Sequence, residues 1–142
     1  MRHKTKRRAD LIADIGLFAG CSQKELARIG SLLTEVPIKA GRVLCKEGDP
    51  GTEAFIIADG ECDVVLKGKK LATLGPGQVV GEMSLIDQAP RSATVSATGD
   101  MTVYVLESRE FWSMVSESPL IARKLLKNLA QRLREVEGAP TH

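Results

Sequence analysis

The sequence predicts a mainly β fold, a β jelly roll or sandwich, with N-terminal helices and two C-terminal helices. A chain of 142 residues has the length of one domain that can bury its own core. Between Thr34 and Glu107, short apolar and β-branched runs alternate with glycine-bearing turns, a spacing typical of compact all-β domains. The segments on either side carry apolar residues at helical spacing instead. The glycines of the turns are Gly41, Gly48, Gly51, Gly60, Gly68, Gly75, Gly77 and Gly99.

Two short helices are predicted ahead of the strands. Residues Ala9 to Phe18 have an amphipathic pattern, and Gly20 should break the chain after them. Ser22 with Glu25 three residues later forms a capping-box pattern, which predicts a second helix from about Gln23 to Leu33.

Two turns in the β region have the residues of hairpins. Asp59-Gly60 separates two apolar runs and predicts one hairpin, and Lys67-Gly68-Lys69-Lys70 predicts another. Met101 to Leu106 forms the last predicted strand.

Two helices are predicted after the strands. Ser108 can cap a helix that continues to about Val115. Ser118 followed by Pro119 predicts the start of the final helix, because a proline at the first helical position loses only an unpaired donor. That helix should end near Glu137, before Gly138 and Pro140.

The final helix carries a stripe of apolar residues at alternating spacings of four and three. Such a stripe can pack on its own domain, or it can form a homodimer with the same helix of a second copy. Its members are Ala122, Leu126, Leu129, Leu133 and Val136, and Ile121 and Leu125 widen it.

The charge distribution divides the chain into three parts. Five of its 20 basic residues lie within residues 1–8, and removing these five charges from the net charge of +2 leaves −3 for the rest. We expect residues 1–8 to form a disordered tail, with contact to an acidic partner or RNA as the alternative. Residues 9–137 should form a single domain, and residues 138–142 a C-terminal tail. The acidic body does not indicate a DNA-binding domain.

Composition also argues against several kinds of site. The cysteines Cys21, Cys45 and Cys62 are odd in number and lack the spacing of a metal or disulfide motif, so we expect buried thiols. The histidines, His3 and His142, lie at the two ends, which disfavours histidine-based catalysis. No apolar run approaches the roughly 18 residues of a membrane span, and no signal-peptide core follows the N-terminus. These features predict a cytoplasmic protein without membrane contact.

The segment from Gly81 to Val95 has the residues of an anion site beside a sugar site. Gly81 lets a ligand approach the backbone, and a turn from Glu82 to Ile86 would direct unpaired N–H groups at negative charge. Arg91 supplies a planar set of donors for a phosphate. The Glu82 carboxylate accepts hydrogen bonds only, as a pair of ribose hydroxyls requires. Phosphate and sugar together indicate a nucleotide.

This segment closely resembles the phosphate-binding cassette of the cyclic nucleotide-binding domain family, which includes the regulatory subunits of cyclic-AMP-dependent kinase. The resemblance extends from about Gly16 to Val136 and includes the glycine-punctuated strands from Ala40 to Glu61. Val80 departs from the phenylalanine common in the family, which should lighten the packing beneath the cassette.

The resemblance implies a role for each matching residue. Arg91 would bind the exocyclic phosphate oxygens and Glu82 the ribose 2′-hydroxyl. Backbone or hydroxyl contacts would come from Gly81, Met83, Ser84, Ser92 and Ala93. The hydroxyl of Ser92 fits cyclic AMP and cyclic GMP sensors, and family frequency favours cyclic AMP, with no further cofactor. The base would be covered from the last helix, where Arg132, Arg134 and Val136 are candidates.

The leading hypothesis is a non-enzymatic sensor in which ligand binding moves the helices after the β core. The family implies that Leu85 moves with the cassette and releases or captures the helix that carries Phe111 and Met114, and an unidentified protein effector would receive the signal. One alternative is a ligand-free interaction scaffold that retains the fold. A hydrolase that uses Glu82 is a third hypothesis, disfavoured by the absence of a metal cluster or an internal histidine in the sequence.

Overall fold

A computed structural model describes residues 8–137 of the chain, and its architecture is two packed β-sheets with helices on one side. Ahead of the strands lie α1 (Arg8–Ala13), a 3-10 turn (Gly16–Phe18) and α2 (Gln23–Gly30). The strands are β1 (Thr34–Ile38), β2 (Val43–Cys45), β3 (Glu53–Asp59), β4 (Cys62–Leu66), β5 (Lys69–Leu74), β6 (Val79–Val80), β7 (Thr94–Ala97) and β8 (Met101–Glu107). A single-turn helix, α3 (Ser84–Asp87), interrupts the strands, and α4 (Ser108–Glu117) and α5 (Pro119–Glu137) follow them.

The strands form two antiparallel four-stranded sheets, in the orders β1-β8-β3-β6 and β2-β7-β4-β5. The predicted jelly-roll class is therefore confirmed. Between the sheets lies a cluster of buried side chains that includes Phe55, Ile57 and Val103. A second cluster fills the space between the outer face of the first sheet and the helices, and it includes Ile56, Leu106 and Phe111.

Strand β3 is buried on both of its faces. Alternate residues face the other sheet and the helix layer, so Ala54, Phe55, Ile56 and Ile57 are all buried. A strand in this position needs a continuous apolar run rather than alternation. The first sheet consequently joins the strand core to the helix core.

The N-terminal and C-terminal helices are attached to each other by polar contacts. Lys124 on α5 donates to Glu25 on α2 at 2.6 Å, and Arg28 pairs with Glu117 at 2.8 Å. The hydrogen bond from Lys124, together with that from the Ser22 amide, holds the pKa of Glu25 below its ordinary value. The capping box of Ser22 and Glu25 is present as predicted.

Arg8 does not belong to a disordered tail, so the predicted boundary is wrong at this residue. Its guanidinium donates to the carbonyl of Leu33 at 2.9 Å and lies 4.9 Å from the centre of the Tyr104 ring. These contacts anchor the start of α1, because they satisfy a carbonyl and stack a cation on an aromatic face. The rest of the predicted basic tail, and the C-terminal tail, lie outside the described residues.

Several helix boundaries differ from the predicted ones, and α4 continues to Glu117 rather than ending near Val115. The segment from Ala9 to Phe18 is not one helix, because α1 ends at Ala13 and Ile15 is extended before the 3-10 turn. Helix α2 ends at Gly30 rather than Leu33. Ser108 is the first residue of α4 and does not cap it, since its hydroxyl donates to the carbonyl of Leu85 instead.

The turn at Asp59-Gly60 connects two sheets and is not a hairpin, contrary to prediction. Strand β3 belongs to the first sheet and β4 to the second. Gly60 has φ of +86°, and a Cβ at this position would contact Met101 and lie 2.8 Å from the carbonyl oxygen of Asp100. The predicted turn at Lys67-Gly68 does form a hairpin, between β4 and β5.

Gly60 and Gly68 provide a matched pair for testing the steric constraint at the turn between the two sheets. Both have positive φ, but a Cβ at Gly68 would meet nothing within 4 Å. We expect Gly68→Ala to lower the free energy of unfolding by about 1 kcal/mol, the cost of the left-handed conformation. Gly60→Ala should cost about 1–3 kcal/mol more because the added methyl overlaps Met101 and Asp100. Urea denaturation of both variants measures the difference, and equal costs would contradict the steric argument.

Candidate functional site

A cavity of about 450 Å³ lies where the cassette segment meets the second sheet. All seven residues that the sequence predicted as ligand-binding line it: Gly81, Glu82, Met83, Ser84, Arg91, Ser92 and Ala93. Sequence reasoning did not include the apolar wall of this cavity, which consists of Cys45, Val64, Leu74, Val79, Val80 and Val95. The strand pattern could have indicated this wall, because Val64 and Val95 are paired neighbours on β4 and β7.

The guanidinium of Arg91 is buried, and residue Arg91 is only 9% exposed. Its Nη2 donates to the carbonyl oxygen of Glu53 at 2.8 Å, and its Nη1 donates to Ser84 Oγ at 3.3 Å. The Phe55 ring lies beside it, 5.9 Å from Cζ to the ring centre. Within residues 8–137, no carboxylate forms an ion pair with this side chain. The cavity wall therefore contains a buried positive charge whose hydrogen-bond acceptors are neutral.

The backbone around Arg91 is fixed by the loop between β2 and β3. The Arg91 amide donates to the carbonyl of Asp49 at 2.7 Å, and the Arg91 carbonyl accepts from the Gly48 amide at 2.9 Å. The Gly51 amide donates to the carbonyl of Ala89 at 3.1 Å. These bonds fasten residues 89–91 to that loop, which limits the movement of the guanidinium.

Gly81 is required by the position of Arg91. It has φ of +77°, and a Cβ there would overlap Nη1 of Arg91 and lie 3.1 Å from the Glu53 carbonyl oxygen. A side chain at this position would therefore displace the guanidinium from its acceptor. Glycine is thus required at position 81 both because of the positive φ and because a side chain would overlap Arg91.

The amides of the cassette differ from the prediction. The sequence predicted unpaired N–H groups across the turn from Glu82 to Ile86. Instead, the amides of Ser84 and Leu85 donate to the carbonyls of Gly81 and Glu82, at 3.0 and 3.3 Å, and that of Ile86 to Met83. These three amides are engaged because the turn closes on its own preceding carbonyls. By contrast, the amides of the cavity-lining residues Glu82, Met83, Ser92 and Ala93 donate to no group of the described chain.

Glu82 is held by groups that lie outside the cassette. Its Oε2 accepts from the Leu17 amide of the 3-10 turn at 2.9 Å, and its Oε1 pairs with Nη2 of Arg132 on α5 at 2.9 Å. The carboxylate side chain is 13% exposed. Neither Leu17 nor any contact to it was predicted from the sequence.

Of the three residues considered for covering a base, only Arg132 lies near the cassette. It contacts Glu82, and its Nη1 lies 3.0 Å from Met83 Sδ. Arg134 and Val136 are exposed on α5, and Val136 is 78% exposed. None of the three lines the cavity.

The cysteines behave largely as buried thiols. Burial raises the pKa of Cys45, which lines the cavity, although the nearby positive charge of Arg91 opposes this effect. Burial likewise raises the pKa of Cys62. Cys21 is half-buried rather than buried, and burial also raises its pKa. A raised pKa keeps a thiol protonated and unreactive near neutral pH.

Residues 8–137 contain no candidate metal centre and no candidate membrane-spanning helix. No group of three His, Cys, Asp or Glu side chains there could hold a metal ion. None of the helices in this range combines the length and apolar character that crossing a bilayer requires.

Comparison with known protein families and sequences gives two matches that cover most of this chain. The family model for the cyclic nucleotide-binding domain matches residues 35–118. A cyclic nucleotide-gated potassium channel of Mesorhizobium japonicum is 36% identical over 126 residues, which cover 89% of this chain but 35% of the channel. The chain therefore spans about a third of the length of this relative.

Solved structures with the same fold are also found. The N-terminal domain of a transcriptional regulator from Streptomyces coelicolor superposes with a TM-score of 0.86 at 28% identity, covering 94% of this chain and 99% of that domain. The regulatory domain of a kinase from Toxoplasma gondii, crystallised with cyclic AMP, gives a TM-score of 0.69 at 27% identity, covering 75% of this chain and 42% of that one.

Proposed function

This chain belongs to the cyclic nucleotide-binding domain family, and on that premise we propose that it is a sensor that binds cyclic AMP and responds by moving its last helices. Residues 8–137 form the proposed module. Its output is regulatory rather than catalytic, as in the binding and regulatory domains of the family.

The buried guanidinium of Arg91 is the observation that carries the proposal. A charged group taken out of water is costly unless an opposite charge compensates it. Among the described residues, a carbonyl and a hydroxyl are the only hydrogen-bond acceptors of the Arg91 side chain, and it lies at the wall of a cavity. An anionic ligand in that cavity supplies the missing charge. A scaffold without a ligand has no use for this arrangement, so the geometry favours the sensor hypothesis over the scaffold.

The other groups at the wall fit the parts of a cyclic nucleotide. The amides of Ser92 and Ala93, next to Arg91, supply further donors for phosphate oxygens. Glu82 offers acceptors for a ribose hydroxyl. The valines and leucine of the apolar wall would contact the base. A cavity with one charged end and one apolar end matches a ligand that also has a charged part and an apolar part.

Cyclic AMP is the proposed ligand for two reasons. A structural relative was crystallised with cyclic AMP, and the hydroxyl of Ser92 is compatible with that ligand. Cyclic GMP is the competing ligand, because the same hydroxyl could contact its base.

Helix α5 is the proposed moving element because few polar groups attach it to the cassette. Its apolar contact with the domain runs through Ile121, Leu125 and Leu129 to the helix layer. Within the described residues, Arg132 provides the hydrogen bond and the ion pair between α5 and the cassette. Leu85 of the cassette is buried in the same cluster as Phe111 and Met114 of α4. A cassette that moves must therefore repack the layer on which α5 rests.

The apolar stripe of α5 is divided between two surfaces. Ile121 and Leu125 are buried against the domain, whereas Leu126, Leu133 and Val136 are 67%, 59% and 78% exposed. An exposed row of apolar residues at spacings of seven and three matches one side of a coiled coil. The proposal therefore includes a homodimer that covers this row with the same helix of a second copy.

Replacing Arg91 tests the binding proposal. We expect Arg91→Ala to weaken cyclic AMP binding by about 1.5–3 kcal/mol, the scale of hydrogen bonds to a charged group. Arg91→Lys should lose only part of this binding free energy, because lysine retains the charge but not the planar set of donors. Isothermal titration calorimetry with cyclic AMP and cyclic GMP measures both effects.

Arg109→Ala is the matched control for Arg91, since Arg109 is an exposed arginine outside the cavity. It should bind cyclic AMP as the parent does. Equal affinity of the parent and Arg91→Ala would contradict the phosphate assignment. Tighter binding of cyclic GMP than of cyclic AMP would overturn the choice of ligand.

Hydrogen exchange tests the movement of α5. On addition of cyclic AMP, amides of residues 119–137 and 81–93 should gain protection, because switching elements belong to the less stable part of a structure. Strands β3 and β4 should change little. If the cassette alone became protected, α5 would be a fixed packing element.

Introducing negative charge into the exposed apolar row of α5 tests the dimer. We expect Leu126→Glu combined with Leu133→Glu to convert a dimer to a monomer in sedimentation velocity, because two carboxylates would enter the apolar seam. Leu71→Glu is the control, since Leu71 is 56% exposed on β5. A parent protein that sediments as a monomer at high micromolar concentration would refute the dimer.

A further inference from the structure

Two protein groups bind the carboxylate of Glu82, and both of them depend on α5. The Leu17 amide donates to Oε2, and Arg132 pairs with Oε1, each at 2.9 Å. Arg132 belongs to α5, whereas Leu17 belongs to the 3-10 turn near the N-terminus. The orientation of this carboxylate is therefore not set by the cassette alone.

Asn128 connects the 3-10 turn to α5. Its Nδ2 donates to the carbonyl of Leu17 at 2.8 Å and to the carbonyl of Ala19 at 2.9 Å. The two bonds use both protons of one amide group. They fix the 3-10 turn on both sides of Phe18, and they thereby direct the Leu17 amide at Glu82.

Asn128 and Arg132 share one face of α5, because residues four apart in a helix lie above one another. Arg132 contacts Glu82 directly, and Asn128 contacts it through the 3-10 turn. The same helix face thus controls both donors to the carboxylate.

We infer that Asn128 is a positioning residue for ribose recognition, which it performs by holding the Leu17 amide against Glu82. This inference rests on the proposed function, since it assumes that Glu82 accepts the ribose 2′-hydroxyl. It assigns to α5 a part in choosing the sugar.

The contacts to Glu82 orient the carboxylate and leave room for a ligand. A carboxylate has about four acceptor positions, and the two protein donors occupy one on each oxygen. Glu82 lines the cavity while it makes both contacts. A ribose hydroxyl can therefore donate to the same group without displacing Leu17 or Arg132, and a fixed acceptor binds it better than a mobile one.

The test compares cyclic AMP with 2′-deoxy cyclic AMP, which lacks the hydroxyl in question. A hydroxyl that donates to a carboxylate contributes about tenfold or more in affinity, so we expect the parent to prefer the ribose form by about that factor. Asn128→Ala should reduce the preference to about threefold or less, mainly by weakening cyclic AMP binding. Affinity for the deoxy ligand should change little.

Gln131→Ala is the matched control, because it removes the same amide group from an exposed position one turn further along α5. Its preference should equal that of the parent. Arg132→Gln is a second variant, with a side chain that is 37% exposed and that supplies the other donor. It should also reduce the preference. An unchanged preference in Asn128→Ala would overturn the inference. An increased preference would also overturn it, because it would show that the contacts to Glu82 compete with the ligand.

A measurement without nucleotide separates this inference from the proposed function. In ligand-free protein, exchange of the Leu17 amide with solvent should be faster in Asn128→Ala and in Glu82→Ala than in the parent, and unchanged in Gln131→Ala. If the parent binds no cyclic nucleotide, the proposed function fails. If the parent binds but the Leu17 amide exchanges equally in all four proteins, only the positioning role of Asn128 fails.

Discussion

The buried guanidinium of Arg91 is the constraint on which the rest of the site depends. It must cross the space above residue 81, which requires a glycine there, and it must reach the carbonyl of Glu53 on β3. The loop between β2 and β3 then fixes the backbone on both sides of it through Gly48, Asp49 and Gly51. A charge in this position is costly without a compensating partner, which supports the proposal that the surrounding structure is a preformed receptor for an anion.

The first sheet explains how occupancy of such a receptor could reach the helices. Its strand β3 provides the carbonyl that holds Arg91, and its outer face carries Ile56 and Tyr104 into the helix core. Leu85 enters the same core from the cassette, and Ser108 bonds to the Leu85 carbonyl at 2.9 Å. Ligand site and helix layer are thus two sides of one packed unit, and interiors at native density transmit small displacements rather than absorbing them.

The sequence predicted what is local and missed what is distant. The seven cavity residues that the sequence predicted lie within 12 positions of one another, on one short turn and one loop. A sequence motif can therefore represent them. The bond from Leu17 to Glu82 spans 65 positions, and the bonds of Asn128 to the 3-10 turn span more than 100. No periodicity encodes such pairings. The turn at Asp59-Gly60 shows the same limit, because hairpin residues specify a reversal of the chain but not the sheet that the next strand will join.

The attachment of the N-terminal helices to α5 also affects the order in which the chain folds during synthesis. The two bonds of Asn128 and the pair of Lys124 with Glu25 join segments about 100 residues apart. A chain emerging from the ribosome can pair its strands and place Arg91 before α5 has emerged. The carboxylate of Glu82 gains its last donor only when the final helix has emerged and closed on the first. Contacts of high sequence separation require the closure of long loops before they can form, and we therefore expect the contacts of Glu82 to Leu17 and Arg132 to form after those that fix Arg91.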